Sequence, residues 1–263
     1  MERDFFDEYY DLHRRDAQAM ERLTFSPYVM DIYGYCGQSA LNEYASNQHL
    51  ESFMKKKKFQ AFGAKQHSQL RLKMAYQIAS GLQHIHELDY SSGKNATLVH
   101  YDINPRNIAI TEDGTAKIND FNLAEFLRWN MTSNHTCPFS GRFHDPWWRA
   151  PEEMISSSEQ EKNMRPLLDE KVDIYSLGNI LYSILTGRTP RGRNKEERRQ
   201  STIQSLQDGD VPKLNNDFTN SNDTAIQSIR KATVKCYVKD PKQRSSARII
   251  AQILKQALED DKP

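Results

Sequence analysis

Several function classes are excluded by what the chain has little of. Cysteine occurs only at Cys36, Cys137 and Cys236, an odd trio without metal-ligand spacing. That argues against a disulfide framework and points to a reducing, cytoplasmic compartment. Charge of one sign is not in excess, since 36 basic and 35 acidic residues leave a net charge of +1. No global field therefore favours a nucleic acid or an acidic membrane as partner. Long apolar runs are missing too. The most apolar stretch, Ile174 to Leu185, is broken by Ser176, Gly178, Asn179 and Ser183 and is too short to span a bilayer. Met1 to Asp7 is acidic without an apolar run, so no signal peptide and no membrane segment are expected in this chain. Finally, the first glycine is Gly34 and the first lysine Lys55, which leaves no glycine-rich loop and no lysine ahead of Asp16.

What is present suits a folded domain. The 263 residues are enough for one large domain or two packed lobes, and 37% hydrophobic with 27% charged residues is ordinary for a globular chain. Phe5, Tyr9, Leu12, Met20 and Leu23 step at helical spacing, with Asp16 on the same stripe. A carboxylate on an apolar face costs free energy unless it has a partner. Pro27 ends that helix. Val29 to Tyr35 and Ala40 to Tyr44 read as two strands around a turn at Gly37-Gln38. Leu70, Met74, Ile78, Leu82 and Ile85 predict an amphipathic helix, and Lys55 to Lys58 a solvated basic run. Asp89 to Asn95 reads as a polar loop, and Asn122 to Arg149 as a long irregular one. Val172 to Thr186 is apolar nearly all round, which predicts a buried helix. Lys195 to Asp210 reads as a surface helix plus loop, and closing helices are expected over Ala225 to Val238 and Ala247 to Leu258.

The chemistry lies in the middle of the chain. Residues His100 to Asn107 read H-Y-D-I-N-P-R-N, followed by Asp120-Phe121-Asn122 and then Ala150-Pro151-Glu152. Between the first two motifs, Ile108 to Ile110 and Ala116 to Ile118 flank Asp113-Gly114, a good hairpin turn because glycine accepts positive φ. The hairpin places Asn107 and Asp120 at its two open ends, where one metal ion can bridge both side chains.

The ordered set of motifs resembles the protein kinase superfamily, whose signature reads HRD…N, then DFG, then APE. The resemblance covers about Asp16 to Leu258. It implies an α+β, protein-kinase-like fold with a mostly helical C-lobe over residues 47–263. A partial N-lobe of one helix and short antiparallel strands would cover residues 1–46. It implies transfer of the ATP γ-phosphoryl group to a protein hydroxyl. Asp102 would be the base, and Asn107 and Asp120 the Mg²⁺ ligands. Asp16 would stand for the helix carboxylate that pairs with the strand lysine. Tyr44, Ala45 and Asn47 would line the adenine hinge, with Asn42 at the rear wall of the pocket. His100 and Phe121 would pack in an apolar column completed by Met20 and Ile32. Asp173 would hold the catalytic loop, or else cap its own helix. Glu152 and Arg244 would form a buried ion pair.

Four departures qualify the match. Tyr101 stands where the family has the HRD arginine, so phosphates on Thr132, Ser133 or Thr136 lack an obvious docking partner. Asn104 replaces the lysine of serine/threonine kinases, whereas Arg106 and Trp148 are similar to tyrosine kinases and tyrosine-kinase-like groups. Asn122 replaces the DFG glycine and tolerates left-handed backbone. The phosphate-covering loop and its lysine have no counterpart, so Asp16 is expected to lack its partner. Two readings stay open: an N-terminally incomplete kinase, or a catalytically inactive scaffold or allosteric partner. The intact Asp102, Asn107 and Asp120 favour the first. A small-molecule kinase of similar fold is a third class, against which Glu152 with Arg244 argue.

Overall fold

A computed structural model describes residues 7–46, 48–55, 64–89, 96–133, 135–142, 145–154, 165–192 and 195–260. Of the sequence expectations, those on Phe5, Asn47, Lys56 to Lys58 and the loop around Gly93 lie outside the described residues.

Helix α1 (Asp7–Arg22) is followed by the antiparallel pair β1 (Ile32–Cys36) and β2 (Ser39–Asn42). The helix stops where the apolar stripe meets Phe25-Ser26-Pro27, and the strands turn at Gly37 with φ 59°. Val29 was expected in the first strand. It instead forms a parallel bridge to Ile118, and the Met30 N–H donates to the Ile118 carbonyl at 2.9 Å. The backbone there is therefore used to tie the N-terminal segment to the central hairpin, and the strand starts later.

The short α2 (Leu50–Met54) leads to the long α3 (Ala64–His86), whose Leu72, Met74, Ile78, Leu82 and Ile85 are fully buried. After β3 (Leu98–Val99), β4 (Ile108–Ile110) and β5 (Ala116–Ile118) pair in register Ile108 to Ile118. Gly114 makes their turn at φ +81°, a conformation that a side chain rarely adopts.

The segment expected to be irregular after Asn122 is punctuated by two-residue strands. They are β6 (Glu125–Phe126), β7 (Trp129–Asn130), β8 (His135–Thr136) and β9 (Phe139–Ser140), which pair with β3, each other and β10 (Leu167–Leu168). Runs this short leave no period for sequence to display.

Helix α4 (Lys171–Thr186) is buried over its whole middle, as its continuous apolarity requires. α5 (Arg199–Asp208) and the single turn α6 (Asn216–Thr219) lie nearer the surface, and α7 (Thr224–Cys236) and α8 (Ala247–Asp260) close the chain. α3 packs lengthwise on α8 and α4 on α7, so one helical core supports the hairpin from below. Each Leu or Ile buried there contributes roughly 1.5–3 kcal/mol before entropy is counted. Asp223 caps α7 by accepting from the Ala225 and Ile226 N–H groups. Among the described residues, no helix is long and apolar enough to cross a membrane.

Candidate active site

The site starts from Asp173, a buried carboxylate in the first turn of α4. It accepts the backbone N–H of His100 at 2.8 Å and of Tyr101 at 2.9 Å, and lies 3.0 Å from His86 Nε2. The capping alternative is thereby set aside: Glu170, not Asp173, occupies the N-cap position, and the Asp173 side chain is spent on a distant loop. A charged acceptor shared by two backbone donors fixes the loop from below. The His100 ring continues the fixation, with Nε2 at 3.0 Å from the Asn119 carbonyl and Nδ1 accepting from the Asp102 N–H at 3.2 Å. It packs against Phe121 with the rings tilted at 52° and centroids 4.7 Å apart, and Met20 and Ile32 are buried in the same core.

Held this way, Asp102 presents its carboxylate to two donors. Asn107 Nδ2 donates to Oδ2 at 2.8 Å and Arg149 Nη2 to Oδ1 at 2.6 Å. Asn107 spends its other amide contact on the Asp102 carbonyl at 3.0 Å. Among the described residues no donor reaches Asn107 Oδ1, which leaves a hard oxygen free for a cation. The hairpin brings Asp120 alongside, because the Asn119 N–H donates to the Asn107 carbonyl at 2.9 Å. Asp120 adopts φ 66°, and burial together with the Asp102 charge pushes its carboxyl above the usual range, despite His100 nearby. Tyr101, at φ 62°, is left-handed as well; Asn122, which stands for the family's glycine and tolerates that conformation, does not adopt it.

Asp16 has a partner after all. Its Oδ1 accepts the Phe121 N–H at 2.6 Å, so a backbone donor takes the place expected for a lysine. Desolvation raises its pKa, and the Asp120 charge adds to the rise. Three carboxylates, Asp16, Asp102 and Asp120, therefore stand close together in a partly dry site.

A cavity of about 830 Å³ opens in front of Asp102 and Asn107, bounded by Glu51, Arg106, Trp147 and Arg149. Arg106 is exposed and donates to Glu51 at 3.1 Å, beside the Lys55 to Glu51 pair at 2.7 Å. The expected hinge residues are not drawn into this cavity. Tyr44 is 84% exposed, Asn42 is an exposed strand residue, Ala45 is half-buried against the core, and Asn47 lies outside the described residues.

Arg149 escaped the sequence reading. Beyond Asp102, its Nη1 donates to the Tyr101 carbonyl and its guanidinium stands 5.4 Å over the Tyr101 ring. The only signal was a cation directly before Ala150-Pro151-Glu152, and contact across so many residues leaves no local pattern. Tyr101 itself is buried, its hydroxyl accepting the Arg142 N–H at 2.8 Å and its ring meeting Phe139 edge-on. The Glu125 carboxylate, also unforeseen, takes Arg142 at 2.5 Å and Arg15 of α1 at 3.4 Å. Glu152 and Arg244 form the expected two-pronged pair, at 2.6 and 3.0 Å.

Comparison with known proteins places the chain in a family. A family model described as "Protein kinase domain" matches residues 4–258. The chain is 26% identical over 170 residues to the serine/threonine-protein kinase TOUSLED of Arabidopsis thaliana, covering 65% of this chain and 22% of that protein. It is 31% identical over 179 residues to the dual specificity protein kinase pyk3 of Dictyostelium discoideum, 66% of this chain and 10% of that protein. Mitogen-activated protein kinase 14 of Xenopus laevis matches at 35% over 116 residues, 44% of this chain and 26% of that protein. The chain thus spans well under a third of the length of each of these relatives.

Proposed function

The chain belongs to the protein kinase domain family, and from that premise we propose that its site transfers the γ-phosphoryl group of ATP to a serine, threonine or tyrosine hydroxyl of a protein substrate. The observation that carries this reading is the Asp102 carboxylate, fixed through Asp173 and hydrogen-bonded to Asn107 at the mouth of the hairpin that also bears Asp120. Phosphoryl transfer asks little covalent chemistry of a protein; positioning and electrostatics do most of it. In this reading Asp102 orients the acceptor hydroxyl and takes its proton late. Arg106 lies on the substrate side of the cavity.

Asn107 and Asp120 would hold Mg²⁺. Their chemistry fits. Asn107 offers an unengaged hard oxygen, and the desolvated Asp120 sits among carboxylates whose repulsion a cation relieves. Among the described residues no cluster of three or more His, Cys, Asp or Glu could hold a metal by itself. That is compatible with Mg²⁺, which takes one or two protein oxygens and completes its shell with phosphate and water. When bound, it neutralises charge on the phosphate oxygens. Nucleotide would lie against Tyr44, Ala45, Asn47 and Asn42, in the seam between residues 1–46 and 47–263, with Asp16 behind it. The three free cysteines suit a cytoplasmic setting.

One observation favours a second reading, a non-catalytic scaffold. Both Asp102 oxygens are already engaged, by Arg149 and Asn107. Thermal shift with Mg·ATP and a transfer assay on the purified protein separate the two. The transferase reading expects a Mg²⁺-dependent shift in both wild type and Asp102→Asn, and a loss of about 10²- to 10⁴-fold in transfer for the variant. No shift and no transfer by wild type would leave the scaffold.

A further inference from the structure

A second cavity, of about 700 Å³, lies beside the first and takes no part in the chemistry above. Tyr182 near the end of α4, the turn from Thr189 to Gly192, α5 and residues 209–213 enclose it. Its lining carries three cations, Arg191, Arg198 and Lys213, against one carboxylate, Asp210. Among the described residues, none of the three cations has a carboxylate within ion-pairing distance. Buried Arg244 and half-buried Lys117, by contrast, each have a carboxylate partner.

The cations differ in how they are held. Arg191 is built into the wall. Its Nη2 donates to the Tyr175 hydroxyl at 2.8 Å and to the Asp210 carbonyl at 3.0 Å, and its Nη1 reaches Ser205 Oγ at 3.3 Å. All these acceptors are neutral, so its charge stays uncompensated. Arg198 and Lys213 are exposed and stand free at the rim. The Arg198 guanidinium lies directly over Gly192, where a Cβ would collide with Nη1; the turn at φ +77° and the missing side chain make that approach feasible. Asp210 is the opposing charge, and its carboxylate accepts the Ser205 hydroxyl at 3.2 Å. Three positive charges against one leave a surplus that attracts an anion.

Position supplies the second half of the argument. Thr189 lines both this cavity and the one that contains Asp102. An extended segment whose hydroxyl sits at Asp102 can therefore cross Thr189 and place a neighbouring side chain among the three cations.

We propose that this pocket binds an acidic side chain, carboxylate or phosphate, of the protein substrate. It acts as a second anchor that selects acidic segments for the site at Asp102. The proposal deepens the transferase reading and rests on it for what happens at Asp102. The binding itself requires no nucleotide. Charge-assisted hydrogen bonds from a guanidinium and an ammonium give such an anchor both strength and salt sensitivity.

The test uses fluorescence anisotropy without nucleotide. Its probes are peptide libraries with a central Ser or Tyr and one fixed residue, phosphoserine, Glu or Gln, scanned along the peptide. Wild type is expected to bind the acidic libraries more tightly than the Gln library, with the preference fading in high salt. Arg198→Gln with Lys213→Gln should weaken acidic peptides about tenfold, the equivalent of roughly one lost charged hydrogen bond. The Gln library and the melting temperature should not change. Preference for phosphoserine alone assigns the anchor to phosphate, and preference for Glu as well assigns it to carboxylates; both support the proposal. Equal binding of all three libraries by wild type, or an undiminished acidic preference in the double variant, overturns it. Acidic preference in a protein that does not respond to Mg·ATP would sink the transferase reading and leave the pocket standing.

Discussion

Arg149 Nη2 donates to Asp102 Oδ1 at 2.6 Å, and the same guanidinium lies 3.7 Å from Glu153 Oε2. One buried cation thus joins the candidate base to the Ala150-Pro151-Glu152 segment. Losing it removes a donor from the Tyr101 carbonyl and leaves the Asp102 carboxylate with Asn107 as its other donor. Arg149→Met is expected to cost about 2–3 kcal/mol, below the full price of breaking a deeply buried pair because Asp102 keeps some solvent. In a double-mutant cycle with Asp102→Asn, denaturant unfolding should give a coupling of at least about 1 kcal/mol. Strictly additive losses would mean that the two groups do not interact in solution.

The second carboxylate in that group sets a pH dependence. Burial pushes Glu153 up to about 7, against the pull of Arg149 and of the Ala150 N–H, which it accepts at 2.7 Å. The folded protein therefore binds a proton that the unfolded chain has already released between an ordinary carboxylate pKa and about 7. Stability is greatest at the acid end of that window and falls as pH rises through it. Unfolding free energy followed from pH 5 to 8 should fall by roughly 3 kcal/mol at most. Glu153→Gln, which keeps an acceptor for Ala150, should flatten the curve. A wild-type curve that rises with pH would contradict the assignment.

Tyr101 suggests how the long segment is kept in place without phosphate. Its hydroxyl accepts the Arg142 N–H, and Glu125 gathers the Arg142 and Arg15 side chains into one carboxylate bridge from α1 to that segment. Thr132→Ala, Ser133→Ala and Thr136→Ala combined are expected to leave transfer activity in place. Tyr101→Phe, which orphans a half-buried N–H, should cost about 1–2 kcal/mol in a thermal or denaturant melt. Abolished transfer in the triple variant would show that loop phosphates are needed after all.

These cases mark what could be read from sequence. The helix of Met74, Ile78, Leu82 and Ile85 and the buried helix after Lys171 were legible because each repeats a pattern over many turns, although Leu70 of the same stripe is only half-buried. Asp102, Asn107 and Asp120 were legible as one locality because a short hairpin joins them. Arg149 on Asp102, Phe121 on Asp16 and Glu125 between two arginines were not. Each is a single polar contact between distant segments, fixed by packing that no local period reveals. The same holds for Val29, whose backbone joins β5 rather than β2 for want of any side-chain signal.

Asp16 gives the last prediction. Its carboxylate accepts the Phe121 N–H but is partly buried and faces the charge of Asp120, and desolvation is the larger cause of its raised pKa. A raised carboxylate contributes stability when protonated and loses it as pH rises through the folded pKa. Asparagine keeps an oxygen for Phe121 and removes the charge. Asp16→Asn without Mg·ATP should therefore melt above wild type at pH 7, and the difference should shrink as the pH is lowered and the wild-type carboxylate takes up its proton. Differential scanning calorimetry across that pH range measures this directly. A variant less stable than wild type at pH 7 would mean that the ionised carboxylate is net stabilising, with the Phe121 bond outweighing burial and repulsion.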